Sequence, residues 1–350
     1  MAKLPERASG SVAQRRLQMA DIARLAGVST ATVSRALNAS PLVNEETRTR
    51  ILELARSLKY SINIGAQNLR LRQNRTVGVV VPYDPETRQH LSDPFFLSML
   101  GSLADALTDQ GFDMLLSRVD AGELDAAAAA YDTGRVIGII LIGQWRHHDQ
   151  LNQLAARQVP IVVWGAQLPQ QLYTTVGGDN VSGGELATEH LLKQGRRRIA
   201  FLGDVNLPEV EQRHRGYSAA LAAHGLEADP ALLVTVSFLP EGGREAVDEL
   251  ARRGVPYDAV FASSDLLAMT AINTLRGRGI RVPEDIAVVG YDDIELSNYF
   301  HPPLTTVRQP IEEAGRALVR ALLGLIEGRG ALSEQLPTEL IVRASAGNAN

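Results

Sequence analysis

Asp21-Ile22-Ala23-Arg24-Leu25-Ala26-Gly27-Val28-Ser29-Thr30-Ala31-Thr32-Val33-Ser34-Arg35-Ala36-Leu37-Asn38 reads as two short helices joined at a glycine. Ile22 and Leu25 set an apolar stripe on the first helix and Val33 and Leu37 set one on the second, while Ala26 and Gly27 permit a close turn between them. Ser29 stands where a side-chain oxygen caps the second helix. That placement leaves Thr30, Ala31, Ser34 and Arg35 facing outward, as in a helix-turn-helix unit that lays its second helix in the major groove of DNA. The plain alternative is a helical hairpin inside a larger core, with Arg35 merely solvated.

Working outward, Ile51, Leu54 and Leu58 are spaced to close a small three-helix core. Asn44 is placed to cap the third helix, and Glu45 and Glu46 in its first turn suit the helix dipole. The stretch from Tyr60 to Arg75 has too few apolar residues to fold alone and carries Arg70, Arg72 and Arg75, so it reads as a linker. Charge then favours the DNA reading. Residues 1 to 75 hold thirteen Lys and Arg against five Asp and Glu, a net of +8; the whole chain is −5, which leaves −13 for the rest. A basic head on an acidic body fits a phosphate-binding module joined to a domain that does not bind DNA. The overall isoelectric point of 5.9 hides this division.

The chain has 350 residues, 45% of them hydrophobic, enough for the head plus one large or two medium α/β lobes. The absence of cysteine excludes disulfides, thiolate metal sites and cysteine nucleophiles. The start mixes Lys3, Glu6, Arg7, Arg15 and Arg16 with Pro, Ser and Gly and lacks an apolar segment, unlike a signal peptide. Apolar runs such as Ile137 to Ile142 are too short to span a bilayer. These features predict a soluble cytoplasmic protein with no membrane partner and a loose basic arm over residues 1–17.

After Thr76 the pattern alternates between strand and helix. Val77-Gly78-Val79-Val80-Val81 is apolar throughout, as a buried parallel strand is, and Phe95 to Leu107 follows with helical spacing. Further strands are predicted near 114–116, 137–142, 161–164, 199–202, 232–236, 259–262 and 286–291. Helices are predicted over 182–193, 210–224, 243–252, 264–276 and 311–326, and the Ala126 to Ala130 run reads as a helix face. The fold class is α/β, with doubly wound parallel sheets.

Enzymatic signatures are missing. No dinucleotide glycine fingerprint, phosphate-loop lysine or Gly-x-Ser-x-Gly elbow is present, so no catalytic residue, cofactor or metal is expected. The adjacent His147 and His148 point apart and read as a solvated loop; Asp292-Asp293 after a strand reads as a structural acid pair rather than a metal site. Trp164 and Asp265 at strand ends, and Arg213 opening a helix after the 203–209 loop, could instead serve a polyhydroxylated ligand. Such a ligand needs bidentate polar partners and an aromatic platform.

With these pieces in view, the chain resembles the LacI/GalR family of transcriptional regulators over nearly everything from Met19 to Ala344. The most specific matches are Asp21-Ile22-Ala23 through Ser34-Arg35 with Asn38, Asp93-Pro94-Phe95-Phe96, Val288-Val289-Gly290-Tyr291-Asp292-Asp293, and Pro303-Leu304-Thr305-Thr306-Val307-Arg308-Gln309-Pro310. The resemblance implies a homodimer whose heads bind a near-palindromic operator, and a two-lobed core like periplasmic sugar-binding proteins that takes a small effector. It divides the chain into an arm over 1–17, a DNA-binding domain over 18–61, a hinge helix and linker over 62–75, an effector and dimerisation core over 76–344, and a tail over 345–350.

Carried over residue by residue, Thr30 and Ala31 match the base-reading positions. Arg35 matches an arginine that reaches a base or its phosphate, and Ser29, Thr32, Ser34 and Asn38 fit the remaining contacts. Gln18 stands where the family usually has a capping Thr or Ser. Asn63, Ala66 and Leu69 fall in the hinge helix, with Leu69 matching the leucine that wedges into the minor groove; Ile62 replaces the usual proline and Gly65 adds freedom. In the core, Tyr83, Phe95, Phe96, Gln144, Trp164, Arg213, Phe238, Asp265 and Gln309 fall on or near effector positions. The segment from Tyr83 to Ser92 looks longer than usual. The resemblance implies a sugar effector, a neutral one by preference, acting as an inducer. Its alternatives are a purine or a sugar phosphate with a corepressor role, and a sugar receptor without DNA activity is the rival of a different class.

Overall fold

The computed structural model describes residues 19–37, 40–58, 74–85 and 89–347. The chain divides into two compact units, residues 1–73 and 74–350. In the first, α1 (Met19–Ala26), α2 (Thr30–Leu37) and α3 (Glu45–Ser57) enclose a core of Ile22, Ala23, Ala26, Val33, Ala36, Val43 and Ile51. Gly27 sits at φ +64°, the left-handed conformation that lets α1 stop and the chain turn. Leu25, expected on the buried stripe, is 56% exposed; the buried face of α1 runs instead through Ile22, Ala23 and Ala26, the i, i+1, i+4 positions of one helix side. Asn44 caps α3, its Oδ1 accepting from Thr47 N at 2.8 Å. Two arginines bind carbonyls around the helix ends: Arg50 donates to Ala26 O at the end of α1, and Arg48 to Ser40 O and Val43 O in the loop before α3. The expected arm, Gln18, Asn38 and the hinge segment with Asn63, Ala66 and Leu69 lie outside the described residues.

The second unit holds two six-stranded sheets. The longer helices are numbered here: β1 (Thr76–Tyr83), α4 (Pro94–Asp109), β2 (Asp113–Asp120), β3 (Ile139–Ile142), α5 (His148–Ala156), β4 (Ile161–Trp164) and β5 (Thr174–Gly178) build the first lobe. Then α6 (Asn180–Lys193), β6 (Ile199–Leu202), α7 (Pro208–Ala223), β7 (Leu233–Val234), α8 (Pro240–Arg253), β8 (Ala259–Ala262), α9 (Asp265–Gly277), β9 (Ala287–Asp292) and β10 (Thr305–Arg308) build the second. The chain returns to the first lobe for α10 (Ile311–Ile326) and β11 (Glu334–Leu336), then ends in the second with β12 (Glu339–Ile341).

The sheet orders are β2-β1-β3-β4-β5-β11 and β7-β6-β8-β9-β10-β12, parallel throughout except where β12 runs antiparallel to β10. Both orders reverse beside their first strand, which opens a crevice at the carboxyl ends between β1 and β3 and between β6 and β8. Helices α4 and α10 cover one face of the first sheet around Met99, Leu103, Leu318 and Leu322, and Leu124, Leu151 and Leu154 fill the other face. In the second lobe, α8 and α9 cover one face and α6 and α7 the other. Gly184 and Gly216 let α6 and α7 approach so closely that a Cβ on either would stand 2.1 Å or less from a backbone oxygen of its neighbour.

The chain passes between lobes near 178–180, 309–311 and 336–339, and these crossings bind one another. Asp179 N donates to Leu336 O at 2.8 Å and Thr338 Oγ1 to Asp179 O at 3.1 Å. The 126–130 run is a short 3-10 helix (Ala121–Ala128) continued by Ala129–Asp132, kinked where Glu123 leaves helical backbone, rather than one regular helix. Ser345, expected in the tail, is fully buried: its hydroxyl donates to Val288 O and accepts from Thr305 N, so the second lobe packs beyond residue 344.

Candidate functional site

On the first unit, α2 presents the expected face. Thr30, Ala31 and Arg35 are exposed and Ser34 is half-buried. Ser29 Oγ accepts from Thr32 N at 3.1 Å and lies 2.9 Å from Thr32 Oγ1. Both hydroxyls therefore serve the cap first, which fixes the first turn of α2 and with it the direction of Thr30 and Ala31.

In the second unit the carboxyl ends of both sheets converge on one cavity, which encloses about 830 Å³ of empty space with its open mouth included. Phe95 and Phe96 enter from the start of α4, Ile142 and Gly143 from the end of β3, and Trp164 from the end of β4. From the second lobe come Glu209 and Arg213 on α7, Ser264 before α9, Asp292 at the end of β9 and Gln309 after β10, with Phe238 closing the side. Six of the nine expected effector residues line it: Phe95, Phe96, Trp164, Arg213, Phe238 and Gln309.

Three do not. The Tyr83 ring packs under the Arg118 guanidinium, 4.8 Å from its carbon. Gln144 is fully buried, donating to Ala166 O and Tyr173 Oη and accepting from Ala166 N, so it holds the loop after β4. Asp265 accepts from Ile294 N, Ser297 Oγ and Thr306 Oγ1, which ties three segments together behind the cavity wall. In each case another part of the fold claimed the side chain, Arg118 over the Tyr83 ring and hydrogen-bond partners at Gln144 and Asp265. His148 also differs from a solvated loop residue: it opens α5 and its Nδ1 lies 2.9 Å from Tyr173 Oη.

Sequence reasoning missed Gln89, Asp93, Trp145, Glu209 and Asp292, all of which line the cavity. The Asp292-Asp293 pair splits. Asp293 is structural, accepting from Arg308 Nε at 2.7 Å and Arg343 Nη2 at 2.6 Å, whereas Asp292 faces the cavity and accepts from Gln309 Nε2 at 2.7 Å. The backbone turns the two apart, with φ of 120° at Asp292 and 56° at Asp293. Asp93 caps α4 through Phe95 N and accepts from Gln89 Nε2.

Electrostatically the cavity is acidic. Arg213 is largely spent on the protein: Nε donates to Asn180 Oδ1 at 2.9 Å, Nη1 to Ser263 O at 2.5 Å, and the guanidinium carbon lies 3.7 Å from the Tyr291 ring centre. Desolvation raises the proton affinity of Asp93, opposed by Phe95 N–H and Gln89. Burial likewise raises Glu209, against the pull of its own backbone N–H, Arg213 and the N–H of Gln144 in the other lobe. It raises Asp292 well above the usual carboxylate range despite Arg213 nearby. Such a chamber offers hydrogen-bond acceptors and flat apolar rings. No cluster of three or more potential metal ligands occurs among the described residues.

Comparison with known proteins agrees with this architecture. Residues 18–63 match the family described as bacterial regulatory proteins, lacI family, and residues 188–346 match a periplasmic binding protein-like domain. The chain is 36% identical over 339 residues to the HTH-type transcriptional regulator CelR of Thermobifida fusca, covering 95% of this chain and 99% of that one. It is similar to the solved complex of a transcriptional regulator CelR with cellobiose, at 34% identity and TM-score 0.70 over 94% of this chain and all of the other. The fold is also that of the lac repressor dimer bound to operator and an anti-inducer, at 24% identity and TM-score 0.84 over 95% of this chain and all of the other. The chain belongs to the LacI family of bacterial transcriptional regulators. It is a helix-turn-helix DNA-binding regulator with a periplasmic-binding-protein-like core, and not an enzyme.

Proposed function

We propose that this regulator is a cytoplasmic repressor that binds a near-palindromic operator as a homodimer and releases it when a neutral sugar enters the core cavity. The observation that carries the effector reading is the make-up of that cavity. Phe95, Phe96, Trp164 and Phe238 supply rings for the C–H face of a sugar, and Asp93, Glu209, Asp292 and Gln309 supply acceptors for its hydroxyls. The lining holds three carboxyl groups and one guanidinium, largely spent on Asn180, Ser263 and Tyr291, so a phosphate or carboxylate on the ligand finds little cationic charge to pair with. The cellobiose held by the CelR relative agrees with this choice.

The exposed face of α2 supports the operator reading. Thr30 and Ala31 can meet a thymine methyl or a base-edge acceptor, and Arg35 can take O6 and N7 of guanine together. Pairing of two copies draws support from Leu97 on α4 and Leu116 on the edge strand β2, which are 55% and 39% exposed. No helix among the described residues is long and apolar enough to cross a membrane.

A gel-shift titration of the full chain on palindromic duplexes, with thermal melts against mono- and disaccharides and their uronate and phosphate analogues, tests the reading. A sequence-selective complex that weakens with salt and dissolves with a neutral sugar is expected. A complex strengthened by ligand, or melts raised by the phosphates alone, would make the protein a corepressor-dependent regulator instead.

A further inference from the structure

The effector cavity is not alone. A second hollow, of about 380 Å³ with its open mouth included, adjoins it and shares four of its walls, Gln89, Trp145, Leu207 and Phe238. Its remaining lining comes from both lobes and is polar but for Leu239: Asp84 and Arg146 from the first, Asp204, Ser237 and Leu239 from the second. We infer that the two hollows are consecutive subsites for a saccharide of two or more units, one ring held between Phe96, Trp164 and Asp292 and the next in the outer hollow. This rests on the proposed sugar reading and specifies the length of the ligand.

Three features point the same way. Trp145 forms the shared wall, and its backbone is at φ 50°, a conformation that costs a bulky residue on the order of 1–3 kcal/mol. The indole folds back over Gly143, where a Cβ would stand 3.6 Å from its Nε1. A strained tryptophan placed between two hollows gives a ring that can stack on sugar units from either side.

The outer hollow is also equipped for hydroxyls. Arg146 and Asp204 form an ion pair across the lobes, with Asp204 only 13% exposed and held by Asn206 N at 3.0 Å and Nδ2 at 2.7 Å, while Arg146 is 57% exposed. A fixed acceptor beside a partly free guanidinium is a bidentate partner for adjacent hydroxyls and carries no net charge that would demand an ionic ligand. Finally, the shared residues keep the passage between hollows apolar on Leu207 and Phe238, where a glycosidic link has few hydroxyls to satisfy.

The test compares matched pairs on the full chain by calorimetry: glucose with cellobiose, xylose with xylobiose, mannose with mannobiose, and each monosaccharide as its phenyl glycoside. For at least one pair the disaccharide is expected to bind tenfold or more tighter than its monomer, about 1.4 kcal/mol or more. In Ser237→Trp, which fills the outer hollow, and in Arg146→Ala, that advantage is expected to shrink to about twofold. Thermal melts establish that each variant is folded. Equal affinity for monomer and dimer overturns the inference, as does an advantage that survives both variants. A phenyl glycoside that matches the disaccharide overturns it as well, since the outer hollow would then take any aglycone. Binding of a monosaccharide alone leaves the sugar reading intact while removing this one; binding of no saccharide removes both.

Discussion

Asp265 is a carboxylic acid whose buried surroundings change its chemistry. Burial pushes its carboxyl up to about 7, against the hydrogen bonds from Ser297, Thr306 and Ile294. In the unfolded chain the same group ionises near the ordinary carboxylate value, so between about pH 4 and pH 7 the folded state holds a proton that the unfolded state has released. Its contribution to stability is therefore complete at the acidic end and lost as pH rises through 7, with an upper bound on the order of 4 kcal/mol. Urea unfolding of the full chain at pH 4.5 and 7.5, followed by fluorescence of Trp145 and Trp164, is expected to show a core less stable at the higher pH. Asp265→Asn, which cannot ionise, is expected to reduce that slope; an unchanged slope would place the titration on Asp93, Glu209 or Asp292 instead. Because Asp265 acts through Ile294, Ser297 and Thr306 and not at the cavity wall, Asp265→Asn is further expected to alter sugar affinity less than Asp292→Asn does.

Among the elements, α2 depends on its cap and α7 on its glycine. Ser29→Ala removes the acceptor for Thr32 N and is expected to cost the head about 1 kcal/mol, lowering operator affinity with little effect on sugar binding. Gly216→Ala sets a methyl 2.0 Å from Val181 O, so α6 and α7 must separate. The expected cost is roughly 1–3 kcal/mol, and since Arg213 rides on α7 one turn away, sugar affinity is expected to fall while the head's affinity for a half-site is preserved. These helices were legible in the sequence because caps, glycine stops and apolar spacing are local signals. Helix α10 has the bounds its periodicity predicts, and α4 and α6 begin one or two residues earlier than predicted. The strands β5, β10, β11 and β12 were not legible. Thr174-Thr175 and Thr305-Thr306 are polar in sequence and become buried only because neighbouring strands and Ser333 or Ser345 receive their backbone groups. The same physics divides the candidate site. Aromatic residues at strand ends could be read directly, whereas Asp292 depends on a left-handed turn and Glu209 on the other lobe's backbone. Gln144 and Asp265 were claimed by donors and acceptors distant in sequence.

For the molecule as a whole, the question is how the proposed sugar in an acidic core can matter to a basic head. Each lobe contributes half of the cavity, and the lobes are joined by three crossings, by Gln212 Nε2 donating to Gln167 O at 3.1 Å and by the Arg146–Asp204 pair. A ligand that contacts both lobes binds better to one angle between them than to another, and only that difference can be passed to DNA. Linkage then sets a strict condition. If saturating sugar weakens operator binding tenfold, a coupling of about 1.4 kcal/mol, operator must weaken sugar binding by the same total over the dimer's two cavities, about threefold at each where they are equivalent. Titrating sugar into the full chain with and without saturating operator, and operator with and without saturating sugar, is expected to return the same total coupling from both directions once both cavities of the dimer are counted. The core alone, residues 74–350, is expected to bind sugar with the affinity of the DNA-free full chain, because the residues named as lining the cavity all belong to that unit. Arg35→Ala, by abolishing selective operator contact, is expected to erase the operator's effect on sugar affinity without changing that affinity in free protein. Sugar affinity indifferent to operator, with operator release still driven by sugar, would violate the cycle and mean that the ligand acts on the complex through a second site.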